Sequence, residues 1–525
     1  MKKTITVLLL VLVLSSFAYA GGQREAESAT AVVSRTGMPI VSQPITLTAA
    51  RIRRPLDKTP MEAKSFTQYL EKLTGIRYEW QSIPEEDATT RVNIMLASGD
   101  LPDVIMGVLT MSQLASNYES GMFIPLDDLL DEWAPNLKRI LEKENSNYRT
   151  AVTAPDGRIY GTPSREMAPW LTVGNHLFIN RSWREQTGLA MPRTTDEFYD
   201  LLRAFKSGDM NGNGDPTDEI PLSLLGSTNF IGVLGAYGAA SNNNWIRVDS
   251  GEVIYAPTLL GFRKALEDYH VLWNEGLLDQ ETFSQNRHQL NAKGKADPHI
   301  VGAYFDFLIH NVVGEERWND FELVLPLEGP DGHREHMRGV PTPQPGAVIS
   351  RTNKYPEATM RWVDHLHSDY KHRFMAFFGM PEDGTIAFED GRMRLLTENT
   401  PEGSSFGEFW LSAGWGSFPP VIITLEDNLN HRLVTGQTRD KLDFIEAYSP
   451  YLVEEVMPVT IMAPDVTREI SEIQTDLDTL VSSFVARSVM EGLTDREWNL
   501  FQDRLQRANL QRFVELHQKV YDSVR

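Results

Sequence analysis

The chain has 525 residues and carries 72 acidic and 50 basic side chains, which give it a net charge of −22 at neutral pH. Nucleic acid and anionic membrane surfaces are therefore excluded as partners, because both bind to basic protein surfaces. The chain is too long to form one compact core, so its length predicts at least two lobes. It contains no cysteine, which excludes disulfide bonds.

The N-terminus has the pattern of a secretory signal peptide. A basic start at Lys2 and Lys3 precedes an apolar run over 5–14 and an Ala-x-Ala sequence that ends at Ala20. The run is shorter than the roughly 20 residues that a membrane-spanning helix needs. We therefore expect cleavage after Ala20 and export to a bacterial periplasm, and the absence of cysteine predicts no lipid anchor. The mature chain, with 48 basic residues against 72 acidic ones, has a net charge of −24, and its first part, 21–41, is expected to be a flexible leader.

The next segments alternate between strand and helix. A strand over 45–49 is followed by a basic turn and an amphipathic helix that ends at Gly75. A second strand over 76–81, a second helix and a third strand over 104–106 come next. The order strand, helix, strand, helix, strand is typical of an open α/β sheet. The two helices are indicated by apolar residues at helical spacing, namely Phe66, Tyr69, Leu70 and Leu73, and then Val92, Met95 and Leu96.

The rest of the chain continues the mixed α/β pattern. Two capping boxes, Thr194 with Glu197 and Thr494 with Glu497, predict helix starts. The other predicted elements are a hairpin or crossing between lobes over 157–163, strands over 175–180 and 301–307, a helix over 259–276 and a helix around Trp362.

The segment 209–219 has the composition of a calcium loop. Oxygen-bearing side chains alternate along it, a glycine occupies the sixth position and acids close it, which suits a cation that takes six to eight oxygen ligands. It departs from the twelve-residue EF-hand because Ile220 stands where the final Glu is expected. A solvated acidic turn is the alternative, since Asn-Gly and Asp-Pro form turns. The candidate calcium ligands are Asp209, Asn211, Asn213, Asp218 and Glu219, with Asp215 or a backbone carbonyl near it or near Thr217.

Several tryptophans lie in loop-like contexts with Gly, Asn or Pro neighbours, away from amphipathic helix faces. A flat indole matches the apolar face of a sugar ring, and nearby polar groups can bond its hydroxyls. Packing in a core or between lobes is the alternative for each of them. The full set of candidate ligand contacts is Trp170, Trp245, Asn243, Asp103, Arg53, Tyr304, Trp410 and Trp415.

Three arginines, Arg51, Arg53 and Arg54, follow the first predicted strand. Ligands usually bind at the carboxyl ends of strands in an α/β sheet, where these side chains could hold an anionic group. An ion-paired turn is the alternative in so acidic a protein.

Two other patterns are set aside. His365 and His367 point to different faces of a helix, and Gly403-Ser404-Ser405-Phe406-Gly407 follows a turn, whereas a hydrolase serine requires a strand before it.

Three motifs are found together in one known family: Leu96 to Ile105 (LASGDLPDVI), Gly121 to Asp127 and Ala134 to Leu137. They resemble bacterial extracellular solute-binding proteins of family 1. Asp209 to Pro221 after a helix, and Trp273 to Leu277, are similar to the oligosaccharide- and alginate-binding, lipoprotein-like subgroup of these ABC importer components.

The resemblance implies a two-lobed periplasmic-binding-protein fold of the α/β class (type II-like), with a hinge and a ligand cleft between the lobes. It also implies that the loop 209–219 holds a structural calcium. On this basis the N-terminal lobe is expected from 42–162 plus about 303–368. The C-terminal lobe is expected from 163–302 plus about 369–525.

Three functions remain open at this point. The first is a monomeric solute-binding protein, without enzymatic activity, that delivers a sugar or oligosaccharide to ABC permease subunits. The second is a secreted calcium-containing enzyme that degrades a glycoside or polysaccharide, which requires a convergent acid pair or an activated nucleophile. The third is a chemosensory binder that signals without transport, and the sequence does not separate it from the first.

Overall fold

A computed structural model of the chain describes residues 31–143, 147–314, 316–416, 418–435 and 437–524. The predicted signal peptide, 1–20, lies outside these residues. The part of the predicted leader that is described, 31–41, is packed: Ile40 and Val41 are buried, and Val41 forms a β-bridge with Val33. The prediction of a flexible leader is therefore corrected for this part, because its apolar side chains join the first core.

The strands and helices give the molecule a mixed α/β architecture. The strands are β1 (Ile45–Arg53), β2 (Ile76–Pro84), β3 (Val104–Met106), β4 (Pro163–Glu166), β5 (His176–Asn180), β6 (Ile246–Asp249), β7 (Glu252–Tyr255), β8 (Ala303–Asp306), β9 (Phe321–Val324), β10 (Gln344–Pro345), β11 (Ala347–Ile349), β12 (Ile386–Glu389), β13 (Arg392–Leu395) and β14 (Ile422–Ile423). The helices are α1 (Ser65–Thr74), α2 (Ala88–Ser98), α3 (Met111–Asn117), α4 (Asp127–Trp133), α5 (Pro135–Leu141), α6 (Tyr148–Val152), α7 (Arg181–Thr187), α8 (Thr195–Lys206), α9 (Gly226–Phe230), α10 (Leu260–Asn274), α11 (Arg287–Gly294), α12 (His310–Val313), α13 (Pro356–Leu366), α14 (Tyr370–Phe378), α15 (Phe406–Ala413), α16 (Leu425–Asn430), α17 (Gln437–Tyr448), α18 (Pro464–Glu491), α19 (Asp495–Arg507) and α20 (Leu510–Ser523). Among the described residues, no helix has the length and apolar character of a membrane span.

The first lobe is built on a four-stranded sheet with the order β11, β3, β1, β2. β1 runs parallel to β2 and β3, and β11 is antiparallel to β3. The predicted strand–helix alternation is confirmed, and α1 ends at Gly75, whose φ of +77° suits a left-handed helix cap. Because α1 and α2 each connect parallel strands, the carboxyl ends of β1 and β3 lie at the same edge of this sheet.

The second lobe has a three-stranded antiparallel sheet in which β5 lies between β8 and β9. Its core also takes in the apolar faces of α8, α10 and the C-terminal helices α18, α19 and α20. Both predicted capping boxes are confirmed, since the Thr194 and Thr494 hydroxyls accept from the backbone N–H groups of Glu197 and Glu497. A strong cap and an apolar stripe at 3.6-residue spacing explain why these helices were evident in the sequence.

Between the lobes, β4 pairs with β10 in antiparallel fashion and with β14 in parallel fashion. The chain passes from the first lobe to the second after β4, returns before β10, and passes again after β14. This small crossing sheet connects the two cores and forms the floor of the space between them.

Two parts of the predicted lobe boundaries are corrected. The segment 303–324 was assigned to the first lobe, but β8 and β9 pair with β5 in the second. The segment 370–423 was assigned to the second lobe, but Phe374, Ile386 and Trp415 are buried in the first core. Both errors have one cause: lobe membership depends on strand pairing and packing between distant segments, which local periodicity does not report.

Candidate functional site

A cavity of about 570 Å³ opens where β1 and β3 end and the crossing strands β4 and β10 begin. Ligand sites in open α/β sheets usually lie outside the carboxyl ends of the strands, as this cavity does. Its lining combines aromatic side chains with hydrogen-bonding groups, as ligand pockets for small polar molecules do. The aromatic members are Phe377, Phe378, Trp410 and Phe418, and the polar or charged members are Arg54, Thr110, Ser164, Arg165, Glu166 and Gln344.

The aromatic wall comes from α14, α15 and the segment after α15. The Phe378 and Trp410 rings lie with their centroids 5.5 Å apart and are tilted by 52°. On another side, the Arg54 guanidinium lies 5.1 Å from the ring centroid of Phe418. Gly107, at the end of β3, has a φ of +63°, and a Cβ atom there would come within 2.3 Å of the Phe418 carbonyl oxygen. A glycine at this position therefore permits the close approach that holds Phe418 in the wall.

The polar floor comes from β4. The Ser164 hydroxyl donates to the Pro419 carbonyl at 2.5 Å, which fixes the segment carrying Phe418. Glu166 forms an ion pair with Arg432, so its charge is neutralised from within the protein. Arg165 keeps solvent access and makes only a long 3.5 Å contact to the Thr342 carbonyl. The neighbouring protein lowers the pKa of the Arg165 guanidinium by desolvation.

A second cavity, of about 290 Å³, follows the same crossing segments toward the second lobe. Gly174 and Asn175 line it from the first crossing, and His336 to Val340 line it from the second. The loop Ser241-Asn242-Asn243 contributes amides from the second lobe. The Asn242 side chain accepts from the backbone N–H groups of Asn244 and Ile246, at 2.9 and 3.0 Å, and thereby fixes that loop. The two cavities together offer a polar cleft with aromatic groups along one side.

Two of the candidate ligand contacts line these cavities. Trp410 lies in the first and is partly exposed, and Asn243 lies in the second and is exposed. A third, Arg53, is exposed at the end of β1 but is outside both linings, whereas the next residue, Arg54, is in the first. The buried Arg51 guanidinium lies 2.8 Å from the Asp57 carboxylate. In the arginine cluster, Arg51 is therefore part of a structural ion pair, and Arg54 is the residue that lines the cleft.

The other tryptophans do not reach the cavities. Trp170 is buried beneath Arg432, whose guanidinium lies 4.9 Å from the indole centroid. Trp245 packs edge-on against Phe262 in the second core. Trp415 stacks on Trp362 at 5.6 Å in the first core. The prediction that these three tryptophans contact ligand is therefore corrected. Their loop-like sequence neighbours did not make the indoles exposed, because each loop folds back onto a core.

Two further candidates are also structural. The Tyr304 side chain is fully buried, and its hydroxyl donates to the Ile309 carbonyl at 2.9 Å. The Asp103 carboxylate accepts from the backbone N–H and the hydroxyl of Thr48, at 2.8 and 2.9 Å. It joins the start of β3 to β1 and is already satisfied. The prediction that Tyr304 and Asp103 contact ligand is therefore corrected as well.

Sequence reasoning missed Phe377, Phe378, Phe418 and Arg165. The two phenylalanines are at the end of α14, where nothing in the local sequence separates a side chain in the cavity wall from one in the core. Arg165 follows the segment 157–163, which the sequence predicts as a hairpin or crossing, and no sequence signal marked the side chain itself. Its φ of +150° is a value that residues other than glycine rarely adopt.

The loop 209–219 lies apart from both cavities, beside the end of α8. The Asp209 carboxylate accepts from the backbone N–H groups of Gly212, Asn213 and Gly214 at 2.8 to 3.1 Å. The side-chain amides of Asn211 and Asn213 donate to Asp218, the closer at 2.7 Å. Hydrogen bonds from Thr217 lower the pKa of Asp215.

The same loop has one polar atom that lacks a partner. Glu219 is buried, and its Oε1 accepts from Met210 N–H at 2.8 Å, while its Oε2 has no hydrogen-bond partner. Among the described residues, no group of three His, Cys, Asp or Glu side chains is arranged to hold a metal. That group of residue types does not include asparagine, whose side-chain oxygen can also bind calcium. Rotation of the Asn211 and Asn213 amides would turn their oxygens toward Asp218. The residues present therefore fit a calcium ion, which would satisfy the orphaned Glu219 oxygen.

Comparisons with known proteins agree with this architecture. Residues 58–276 match the family model described as bacterial extracellular solute-binding protein. The chain is 29% identical over 493 residues to the fructooligosaccharide ABC transporter substrate-binding protein FusA of Streptococcus pneumoniae, an alignment that covers 89% of this chain and 88% of FusA.

Solved structures give the same result. FusA in complex with kestose superposes with a TM-score of 0.80 at 27% identity and covers 91% of this chain and 99% of FusA. An EF-hand mutant of FusA, solved with fructo-nystose, superposes equally well, so this relative has an EF-hand. The alginate-binding protein AlgQ2 without calcium ion has a TM-score of 0.72 at 20% identity, over 93% of this chain and 100% of AlgQ2, and shows the shared fold. The chain is two-lobed and is similar over most of its length to bacterial extracellular solute-binding proteins.

Proposed function

We propose that this chain is the solute-binding protein of an ABC importer and binds an oligosaccharide in the cleft between its lobes. The observation that carries the proposal is the cavity at the ends of β1 and β3, with its aromatic wall and polar floor. The similarity to FusA over most of both chains supports it.

The geometry indicates how a sugar would be held. The indole of Trp410 and the ring of Phe418 are flat apolar surfaces at the cavity wall, suited to the C–H face of a sugar ring. Thr110, Arg165 and Gln344 offer donors and acceptors for ring hydroxyls. Closure of the lobes would bury the sugar and present a changed surface to the permease subunits.

The enzyme alternative lacks support in the cleft. Glycoside hydrolysis uses two carboxyl groups about 5–9.5 Å apart. Among the described residues that line the two cavities, Glu166 is the one carboxylate, and it is ion-paired with Arg432. The serine pattern at 403–407 also has a structural role, because the Ser405 hydroxyl caps α15 by accepting from Glu408 N–H. A binding protein accounts for the site better than an enzyme does.

Calcium belongs to the proposal as a structural ion. Asp209, Asn211, Asn213, Asp218 and Glu219 would hold it, and it would fix the loop that follows α8. Asp215, or a backbone carbonyl near it or near Thr217, would complete the ligand set, since both hydrogen bonds from Thr217 go to a single oxygen of the Asp215 carboxylate.

The cellular setting follows from the family and the sequence. An extracellular solute-binding protein acts outside the cytoplasm, so we propose the periplasm, with the signal peptide cleaved after Ala20. A mature net charge of −24 favours solubility and agrees with a monomer that binds sugar and permease and no nucleic acid.

A calorimetric and thermal-shift screen of oligosaccharides tests the function, with Trp410→Ala as the diagnostic variant. Loss of an aromatic side chain that the bound sugar would cover is expected to weaken binding by at least about tenfold. Trp133→Ala is the matched control, because Trp133 is also partly exposed and lies outside both cavities. Release of reducing ends from a bound saccharide would overturn the proposal, as would equal effects of the two variants.

A further inference from the structure

The charge of the cleft is opposite to that of the molecule. The chain as a whole has a net charge of −22. Yet the described residues that line the two cavities include three arginines, Arg54, Arg165 and Arg338, and a single carboxylate, Glu166. Because Glu166 is ion-paired with Arg432, it does not neutralise these arginines. A polar cleft for uncharged hydroxyls does not require such an excess of positive charge.

The three arginines differ in how well the protein already satisfies them. Arg54 has Glu85 at 3.7 Å and rests on the Phe418 ring. Arg338 donates to the Glu454 carbonyl at 2.5 Å. Arg165 has only the 3.5 Å contact to the Thr342 carbonyl, and among the described residues no carboxylate lies within 4.0 Å of its guanidinium. Arg165 is therefore the cleft arginine without a carboxylate partner, and Arg54 also has a donor to spare, because its buried Nε has no hydrogen-bond partner.

The Arg165 side chain is open to the cleft and available to a ligand. Its guanidinium keeps solvent access, and the protein that partly surrounds it lowers its pKa by desolvation, so an opposite charge on a ligand would be favourable there. The backbone at Arg165 has a φ of +150°, which is rare for a residue with a side chain, and its N–H is held by the Val421 carbonyl at 3.1 Å. Strained positions of this kind occur where a side chain is positioned for a ligand.

We infer that the saccharide bound in this cleft is acidic and that a carboxylate on one of its sugar units pairs with Arg165. A guanidinium presents parallel N–H donors that match the two oxygens of a carboxylate. The aromatic wall of Trp410 and Phe418 lines the same cavity, so one sugar unit could stack while its carboxylate is bound. This inference rests on the proposed function and names the substrate class of the same site.

Calorimetry on the full-length mature protein tests the inference with paired ligands. The acidic set is short oligogalacturonates and oligomannuronates, and the neutral set is their carboxyl-reduced counterparts together with fructo-oligosaccharides. We expect an acidic ligand to bind at least about tenfold more tightly than its reduced counterpart, the effect of one charge-assisted contact. This comparison uses the unmodified protein, so it does not depend on how a variant folds.

Substitutions then assign the effect to one side chain. Arg165→Gln is expected to remove the preference for the acidic ligand, and Arg165→Lys to restore part of it, because the charge returns without the planar fork. Arg53→Gln is the matched control, since Arg53 is a nearby exposed arginine outside the cavity lining. It is expected to leave affinity unchanged.

The outcomes separate this inference from the proposed function. Tight binding of a neutral saccharide that Arg165→Gln leaves unchanged would overturn the inference and keep the function. If no saccharide in either set binds, both the inference and the proposed function are overturned.

Discussion

At the scale of single residues, a buried lysine determines where the aromatic wall lies. The Lys64 side chain is fully buried, and its Nζ donates to Asp57 at 2.9 Å and to the Leu411 and Gly414 carbonyls at 2.6 and 2.7 Å. Those carbonyls are at the C-terminal end of α15, where a positive charge is favourable. Since α15 carries Trp410, this contact fixes the wall to the first lobe. Burial lowers the pKa of Lys64 to about 8.

We predict that Lys64→Met destabilises the protein by about 3 kcal/mol, because it leaves the buried Asp57 carboxylate with Arg51 as its remaining cationic partner and leaves two carbonyls without their donor. Urea denaturation followed by tryptophan fluorescence measures the change. Lys58→Met is the control: Lys58 is 79% exposed with Glu408 at 3.6 Å, so its loss should change stability by less than about 0.5 kcal/mol. Similar destabilisation in the two variants would contradict the assigned role of Lys64.

A second prediction concerns Gly107. Gly107→Ala places a Cβ 2.3 Å from the Phe418 carbonyl oxygen, so Phe418 must move out of the cavity wall. We expect at least about tenfold weaker saccharide binding by calorimetry, in addition to a stability cost of about 1 kcal/mol. Gly99→Ala is the control, because Gly99 has a similar φ of +70° with no atom within 4 Å of the added Cβ. It should share the stability cost and keep the affinity; unchanged binding by Gly107→Ala would show that Phe418 does not contribute.

At the scale of elements, the loop 209–219 combines local turn hydrogen bonds with one buried carboxylate. Its Asx-type hydrogen bonds are local, and the sequence indicated them through the spacing of Asp and Asn. The buried Glu219 carboxylate is what distinguishes it from a solvated turn, because a surface turn would leave both oxygens in water.

We predict that calcium stabilises the protein through this loop. Removal of calcium by a chelator should lower the melting temperature, and calcium at a hundredfold its Kd should restore about 2.7 kcal/mol. Asp218→Asn should abolish that response, while Asp200→Asn, at an exposed position on α8, should preserve it. An unchanged melting curve after chelation, with no calcium found by elemental analysis, would refute the metal site.

At the scale of the whole molecule, the crossing sheet makes the two lobes one functional unit. The backbone N–H of Gly107, at the end of β3, donates to the Gly346 carbonyl at 2.6 Å, and Gly339 N–H donates to Thr172. These bonds connect the first lobe to the crossing segments and connect the crossing segments to one another. Both cavities therefore share one floor, and a ligand that spans them contacts both lobes.

We expect ligand binding to close this cleft. Small-angle X-ray scattering should show a smaller radius of gyration when a bound saccharide is saturating, because closure brings the two cores together. Trp410→Ala at a saccharide concentration well below the Kd of the variant should keep the radius of the free protein. A radius that stays constant while calorimetry reports full occupancy would contradict closure.

The sequence by itself determined the local elements and the resemblance to a family. Apolar spacing at Phe66 and Leu70 and the capping boxes at Thr194 and Thr494 act within a few residues, so a single sequence contains their full physical cause. The motif LASGDLPDVI and the loop 209–219 are also local, and they carry the resemblance to the solute-binding family.

Only the tertiary structure decided which side chains face the cleft. Trp415 and Trp410 are five positions apart in similar neighbourhoods, yet the first stacks on Trp362 in the core and the second lines the cavity. Arg165 has no distinctive sequence signal, and its importance comes from the absence of a nearby carboxylate among the described residues. Burial and charge pairing are sums over contacts from distant segments, and those contacts exist only once the lobes have formed.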